Sequence, residues 1–530
     1  MWLLRVALIN FYTIYAYKNL NRWSNPNWPL LLQSLSTDFD KGLQDLQALK
    51  SKYKDKIGWA TALDQDILEY KNIQGTKYAK INQITHFPIF AIYNESSAVI
   101  SRSLQSIFNS SYDLDKIIVF VSQEDRAGAD FNQKVRSQIS SLPWVKACHF
   151  AEKNLQKVYT DHTKLAEYYS KHLDKISLVK DKLNIIFTSH PDGLQGEIKG
   201  KASNEDWGAR QVSLFCKSKK IDPDTCLITS LDADSAVGNH FFHKLSYKFC
   251  LTKNRLQTGF QPIPVYSNNF FDTQAVARLI ATQTTLYQFS RSILDGELEF
   301  FANYSVPLKA LQKVDFWVRE VIAEDYMLFA KCFVYFKGEF KVVPSYGEFE
   351  GDAVYAEDYL DSFANQYKQL QRWSWGGIES FPYVFTRLFL RSEGSFIDLR
   401  KRLSLVILLF TNHFFWSSTP IIFSVIIGLP SLFGGQYFAG QPIALNLWIF
   451  TRYFAWISIF FIIVYGIITF QYVARKSLKN RKVNFLHYLM IIFQWMVSPF
   501  IYGFIGLPAL DSQLRGIFGK YLGYWVTPKK

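Results

Sequence analysis

Four short apolar runs, residues 88–93, 116–121, 184–189 and 225–231, have strand length and little polar alternation. Between the first two lies a helical pattern over 97–110. It places Ile100, Leu104, Ile107 and Phe108 on one face, with Ser96 or Ser97 as N-cap. Two parallel strands cannot be joined by a hairpin, so strand, helix and strand in such a short stretch call for a mostly parallel sheet covered by helices. Ligands of such sheets bind beyond the carboxyl ends of the strands. Asn94-Glu95 follows the first run and Asp232-Ala233-Asp234 follows the fourth, so both fall on that edge.

Beyond Arg402 the composition changes. Residues 405–433 are apolar apart from His413 and hydroxyl or amide side chains, which fits an interfacial helix followed by a span over 416–432. Residues 445–473, with Arg452 near the start, and 485–507 read as two further spans. The run Arg475-Lys476-Ser477-Leu478-Lys479-Asn480-Arg481-Lys482 is strongly basic, whereas 434–446 carries no charge. The positive-inside rule then puts the basic loop and the large preceding domain on the cytoplasmic side of the cell (inner or plasma) membrane. Parity would place 511–530 outside, against Arg515, Lys520, Lys529 and Lys530; a re-entrant third segment broken at Pro499 or Pro508 is the other solution.

The expected organisation is therefore an N-terminal interfacial or partial transmembrane helix over 1–30 and a helical lead-in over 31–86. A cytoplasmic catalytic domain over 87–400 follows, then about three transmembrane or re-entrant helices over 401–530. Residues 2–17 are apolar but too few to cross a ~30 Å hydrocarbon core at ~1.5 Å per residue. Within the lead-in, residues 38–56 carry Leu43, Leu46 and Leu49 at helical spacing among charges. The net charge of +14 would suit nucleic acid, but anionic lipid plus a diphosphate substrate explains it better and no nucleic-acid partner is expected. The five cysteines form no C-x-x-C pair and read as reduced, mostly buried thiols.

Asp232 and Asp234 are hard oxygen ligands one residue apart, suited to Mg²⁺ or Mn²⁺ shared with a diphosphate, although D-x-D also occurs as a plain turn or helix cap. His240 and His243 fit a half-buried helix with Phe241, Phe242, Leu245 and Phe249 better than a metal site. Asp325, in Glu324-Asp325, opens an amphipathic stretch over 327–334; it can cap that helix or accept a proton from an attacking hydroxyl. Gln369, Arg372 and Trp373 share one helix face, where guanidinium and indole suit phosphate and sugar, or a membrane surface. The loop ending in Gly200-Lys201 misses the P-loop pattern by one position, with Ala202 in place of the hydroxyl. H-E-x-x-H and G-x-S-x-G are absent, which counts against the common zinc-protease and serine-hydrolase designs.

Taken in order, Tyr93-Asn94-Glu95, Asp232-Ala233-Asp234, Glu324-Asp325 and Gln369-x-x-Arg372-Trp373 resemble the membrane-bound family 2 glycosyltransferases of the cellulose-synthase-like and hyaluronan-synthase-like branch. Gly259-Phe260-Gln261-Pro262 falls where that family has a strand near donor and acceptor. The resemblance spans residues 87–381. It implies an α/β GT-A domain followed by a C-terminal α-helical transmembrane region, a nucleotide-sugar donor (commonly a UDP-sugar), Mg²⁺ or Mn²⁺, and inversion at the anomeric carbon. By matched position, Tyr93 and Glu95 would line the nucleoside pocket, Lys201 would approach base or phosphates, and Asp232 and Asp234 would hold diphosphate and metal. Asp325 would be the general base and Arg372 would steady the leaving diphosphate, while Gln369, Trp373 and Glu324 would meet the acceptor. The paired aspartates that the family carries after the second strand are missing; Gln123-Glu124-Asp125 stands there. So few expected spans suggest transfer to a glycan or lipid-linked acceptor, with membrane lipids around the enzyme. The alternatives are a processive synthase that needs partner subunits, and a catalytically silent glycan-binding scaffold.

Overall fold

The computed structural model describes residues 2–54, 59–149, 175–293, 298–421, 463–478 and 484–523, with isolated positions at 173, 433–435, 441–442, 446, 449, 453, 461 and 525. The chain divides into two compact units. A sheet unit comprises Lys18–Pro264 and Ser292–Glu350, and a helical unit comprises Met1–Tyr17, Val265–Arg291 and Gly351–Lys530. Residues 265–291 and 351–400 thus group with the C-terminal helices, whereas the sequence reading joins them to the sheet domain.

The sheet has nine strands: β1 Thr85–Ile92, β2 Ile118–Glu124, β3 Val145–His149, β4 Leu183–His190, β5 Cys226–Leu231, β6 Ala236–Val237, β7 Thr258–Val265, β8 Tyr304–Pro307 and β9 Lys341–Glu350. Their order is β3-β4-β2-β1-β5-β8-β7-β9-β6. From β3 to β5 the neighbours pair in parallel, while β8 runs antiparallel to β5 and β7, and β6 to β9. The sheet is therefore mixed, which corrects the mostly parallel expectation. The parallel half is what the four apolar runs describe, because strands buried on both faces read as continuous hydrophobic stretches. Strand order reverses at β1, flanked by β2 on one side and β5 on the other, which is where such sheets place their ligand crevice.

Helices α1 Trp2–Trp23, α2 Trp28–Thr37, α3 Phe39–Lys52 and α4 Trp59–Asn72 lead in. Asp38 caps α3 by accepting the Lys41 N–H, where the leucine spacing places a helix. α5 Ser97–Phe108 follows β1 with Ser96 as its N-cap, and Ile100, Leu104 and Ile107 are buried under it. α6 Ala129–Ser140, α7 Lys201–Ser218, α8 Phe241–Cys250, α10 Leu308–Lys313 and α11 Glu324–Tyr335 complete the cover of this unit. His240 and His243 share Ser111 Oγ at 2.8 and 3.4 Å at the start of α8, a structural arrangement. All five cysteines are free thiols, four of them buried.

The helical unit contains α9 Ala275–Arg291, α12 Tyr359–Phe385, α13 Leu399–Ile421 and α14 Phe485–Ile517. Close approach is built in at Gly377, where a Cβ would lie 2.3 Å from the His413 ring of α13. Polar links tie the helices together: Gln371 Nε2 and Tyr367 Oη donate to Asp511 at 2.6 and 3.2 Å, Gln513 Nε2 donates to His413 O at 2.9 Å, and Arg278 Nε donates to Gln494 at 2.7 Å. α14 runs unbroken through Pro499 and Pro508, so no helix break stands at either proline. Most of the expected spans over 416–432 and 445–473, and the second half of the basic loop, lie outside the described residues. Among the described residues no helix is long and apolar enough to cross a membrane.

Candidate active site

The site is built at the carboxyl ends of β1 and β5 by elements that arrive from far along the chain. α7 lies close against β1 and β2 because residue 208 is glycine; a Cβ there would stand 3.0 Å from Ile89 Cγ2. Asn204 in the first turn of α7 donates to Ser122 O at 3.0 Å and Ile92 O at 3.4 Å, which ties that turn to the ends of both strands. Lys201, the first residue of α7, is thereby carried to the mouth of the sheet.

Lys201 is where the separate motifs meet. Its Nζ lies 2.8 Å from Asp232 Oδ1, 2.9 Å from Glu324 Oε1 and 3.5 Å from Glu205 Oε1, and it donates to Ala302 O at 3.0 Å. Asp325, in the first turn of α11, reaches the same loop: its Oδ2 accepts the Ala302 N–H at 3.0 Å and its Oδ1 the Tyr326 N–H at 2.8 Å. Ala302 takes a left-handed backbone (φ 52°), which costs a non-glycine residue energy and is most often found where function fixes the chain. That conformation lets one residue serve Asp325 with its N–H and Lys201 with its carbonyl. β7 holds the loop in place. Gln261 Oε1 accepts the Phe301 N–H at 2.9 Å, and Gln261 Nε2 donates to the carbonyls of Phe301 and Asn303, both at 3.0 Å. Asn303 in turn accepts the Asp232 N–H at 2.7 Å and donates to Ser235 Oγ at 2.6 Å, which fixes the turn carrying both aspartates.

The charges respond to this crowding. Burial alone would lower the Lys201 pKa, but Asp232, Glu205 and Glu324 outweigh it and hold the ammonium well above the ordinary lysine range. Burial, followed by the charge of Glu324, pushes Asp325 up to about 7. Glu95 is raised first by burial and then by Asp234 and Asp232, so the segment after β1 faces the same acidic mouth. Its Oε2 accepts the Tyr93 N–H at 2.7 Å. Arg126 stacks over the Tyr93 ring, 3.9 Å from guanidinium carbon to ring centroid, and pairs with Glu124. Next to it a cleft of roughly 330 Å³, partly open to solvent, is lined by Glu124, Arg126, His190, Asp192, Glu197 and Lys199.

Tyr93, Glu95, Lys201, Asp232, Asp234, Glu324 and Asp325 all belong to the sheet unit. Glu324 engages Lys201 directly. Gln369, Arg372 and Trp373 stand on α12 of the helical unit; Gln369 is mostly buried and its Oε1 accepts from Gln366 Nε2 at 3.0 Å, while the other two are half-buried. Sequence reasoning misses Glu205, Ala302 and Asn303. Only Glu205 leaves a local trace, since it lies four residues after Lys201 on one helix face. Among the described residues no group of three or more His, Cys, Asp or Glu forms a metal cage. Asp232 and Asp234 share one turn fixed by Asn303, and two carboxylates so placed could hold a divalent ion that brings its remaining oxygen ligands from water and a diphosphate.

Residues 227–473 match the sequence profile described as glycosyl transferase family group 2. That stretch takes in the aspartate pair, the Ala302 loop and Glu324-Asp325. Residues 227–473 thus carry a glycosyltransferase domain of family group 2 type. No curated protein matches the chain. Among solved structures it is similar to the mannosyltransferase PcManGT from Pyrobaculum calidifontis in complex with GDP-Man and Mn²⁺. There the identity is 10% and the TM-score 0.41, with 90% of this chain and 100% of that one covered. S. aureus TarS 1–349 is similar at 10% identity and TM-score 0.31, and its complex with UDP-GlcNAc at 11% and 0.33; each pairing covers 79% of this chain and 91% of that one.

Proposed function

We propose that this chain is an inverting, metal-dependent glycosyltransferase that works at a membrane surface, moving a sugar from a nucleoside-diphosphate sugar to a hydroxyl of a glycan or lipid-linked acceptor. The observation that carries the reading is the meeting of Asp232 and Glu324 on one ammonium, 2.8 and 2.9 Å from Lys201 Nζ, with Asp325 next to Glu324 on α11 and bonded to the adjoining Ala302 loop.

In this reading the nucleoside lies towards Tyr93, Glu95 and the cleft beside Arg126, and the diphosphate points to Asp232 and Lys201. A divalent cation held by Asp232 and Asp234 would supply charge neutralisation to the departing diphosphate. The acceptor oxygen attacks the anomeric carbon as the bond from that carbon to the phosphate oxygen breaks. The bonding pair leaves with the diphosphate, and the hydroxyl proton passes to the Asp325 carboxylate. One displacement inverts the configuration. A carboxyl group raised to about 7 is well matched to this task, since a general base works best with a pKa near the operating pH.

Membrane attachment is supported by α13, where Leu399, Leu403, Ile407, Phe410 and Phe414 recur at helical spacing and are all exposed, beside Arg400 and Lys401. Exposed Phe485, Leu486, Leu489, Phe493 and Met496 on α14 add to it. Arg372 and Trp373 keep their proposed roles toward leaving group and acceptor.

The test is to supply the membrane-embedded full chain with a panel of nucleotide sugars and Mn²⁺ and to measure nucleoside diphosphate release. Metal-dependent release with at least one donor is expected; none with any donor, or release that ignores a chelator, sinks the corresponding part of the reading.

A further inference from the structure

Behind the ion pairs that the mechanism uses lies a carboxylate that it does not. Glu205 is fully buried on α7, one turn after Lys201. Its Oε1 accepts from Ser230 Oγ of β5 and lies 3.5 Å from Lys201 Nζ. Its Oε2 accepts from Tyr304 Oη of β8 at 3.4 Å, and Tyr304 Oη itself accepts from Trp317 Nε1 at 2.7 Å. Three separate elements therefore hold one acidic group in a place where a leucine would satisfy packing with no desolvation cost. A buried carboxylate is expensive unless it is paired. The cation it faces is the one that bridges Asp232 and Glu324.

We propose that Glu205 is a positioning residue for Lys201: it anchors the ammonium from behind, so that the lysine stands between the diphosphate end and the acceptor end of the site instead of swinging into solvent. This rests on the transfer reading above. A long flexible lysine stem carries large rotamer freedom. Asp232, Glu324 and Ala302 O hold the ammonium at 2.8–3.0 Å at the mouth, and the carboxylate behind it, the one of the three acids locked by β5 and β8, limits that freedom further before the donor arrives. Ser230 and Tyr304 are the reason the anchor itself does not move.

The experiment uses the full chain and the variants Glu205→Gln, Glu205→Asp, Lys201→Met and Glu205→Gln/Lys201→Met, each checked by melting. Nucleoside diphosphate affinity is measured by calorimetry with Mn²⁺ present. A bulky acylating reagent, followed by peptide mass spectrometry, reports whether the Lys201 amine stays seated without any ligand. Glu205→Gln should weaken affinity on the order of tenfold or more, the worth of a charge-assisted contact. The same change should do nothing further in the Lys201→Met background, because the effect travels through the lysine. Labelling of Lys201 should rise several-fold in Glu205→Gln, and Glu205→Asp should bring both readouts back towards wild type. Equal loss in the two backgrounds, or Lys201 labelling unmoved by Glu205→Gln, overturns the proposal. If Glu205→Gln fails to fold, Ser230→Ala and Tyr304→Phe, which loosen the anchor without removing it, are read instead: Lys201 labelling above the wild-type rate supports the anchor, and an unchanged rate overturns it. A wild-type chain that binds no nucleoside diphosphate breaks the transfer reading instead, and the labelling result then decides the role of Glu205 independently.

Discussion

The two units of this chain distribute polarity in opposite ways. The sheet unit gathers charge inside, with Lys201, Glu205 and Glu324 buried or nearly so around one loop. The helical unit links its helices mainly through hydrogen bonds to amide, hydroxyl and carbonyl groups, such as Arg278 to Gln494 and Gln513 to His413, and turns large apolar side chains outward along α13 and α14. The first arrangement is costly unless every charge is matched, which is tolerable only where chemistry needs the field. The second is unfavourable in water and becomes reasonable when something apolar covers the surface. Under the proposed reading, the acid–base chemistry falls to the sheet unit and membrane contact to the exposed helices of the other.

The contrast breaks most sharply at Asp325. Asp325→Asn should lower turnover by roughly 10²–10⁴-fold, the usual worth of a general base, with nucleoside diphosphate affinity nearly unchanged. Steady-state kinetics alongside calorimetry check this, and equal turnover removes the base. In the wild type, kcat/KM should fall about tenfold per pH unit below an acid limb near 7, because only the ionised carboxylate accepts the proton. The same raised pKa has a stability sign. Folding favours the protonated acid, so this contribution is full below the ordinary aspartate range and is lost as pH rises through about 7. Asp325→Asn should therefore melt higher than wild type at pH 8, and the gap should close towards pH 4.

Lys201→Met comes next. Removing the cation leaves buried carboxylates facing one another and should cost about 3–5 kcal/mol in denaturant unfolding. A loss under about 1 kcal/mol would mean that the cluster is solvated like a surface ion pair. Gly208→Val tests the seat of α7: side-chain atoms forced against Ile89 should cost about 1–3 kcal/mol and weaken donor binding, read by melting and calorimetry. The smallest effect on stability belongs to the helical unit. Leu403→Ser or Phe410→Ser should shift stability by no more than about 0.5 kcal/mol, as exposed positions do. Made together, they should move the chain measurably out of the membrane pellet. Destabilisation without loss of sedimentation would show that the exposed stripe is covered by protein.

What the sequence discloses follows the same divide in burial. β1, β2, β4 and β5 are buried along almost their whole length, so their apolar runs stand out, with ends shifted by up to three residues. β8 has four residues and ends in Pro307, β6 has two, and β9 alternates half-buried with buried positions. None of these carries a run long or apolar enough to announce a strand, and of the antiparallel half only β7, through Gly259-Phe260-Gln261-Pro262, is marked by the resemblance. Asp232 and Asp325 are legible because each follows or opens a recognisable element. Glu205 is not, because on α7 it looks like any helical glutamate; only Ser230 and Tyr304, far away in the chain, give it meaning.

The oxygens that surround Lys201 come from positions 205, 232, 302 and 324. During synthesis, then, a nascent chain that has emerged only as far as the turn after β5 carries Lys201, Glu205 and Asp232 but neither Ala302 nor Glu324. Contacts of such sequence separation form slowly, after the local ones. Catalytic competence would come late to this domain, no earlier than the docking of α11, and would be withheld from every fragment that ends before it.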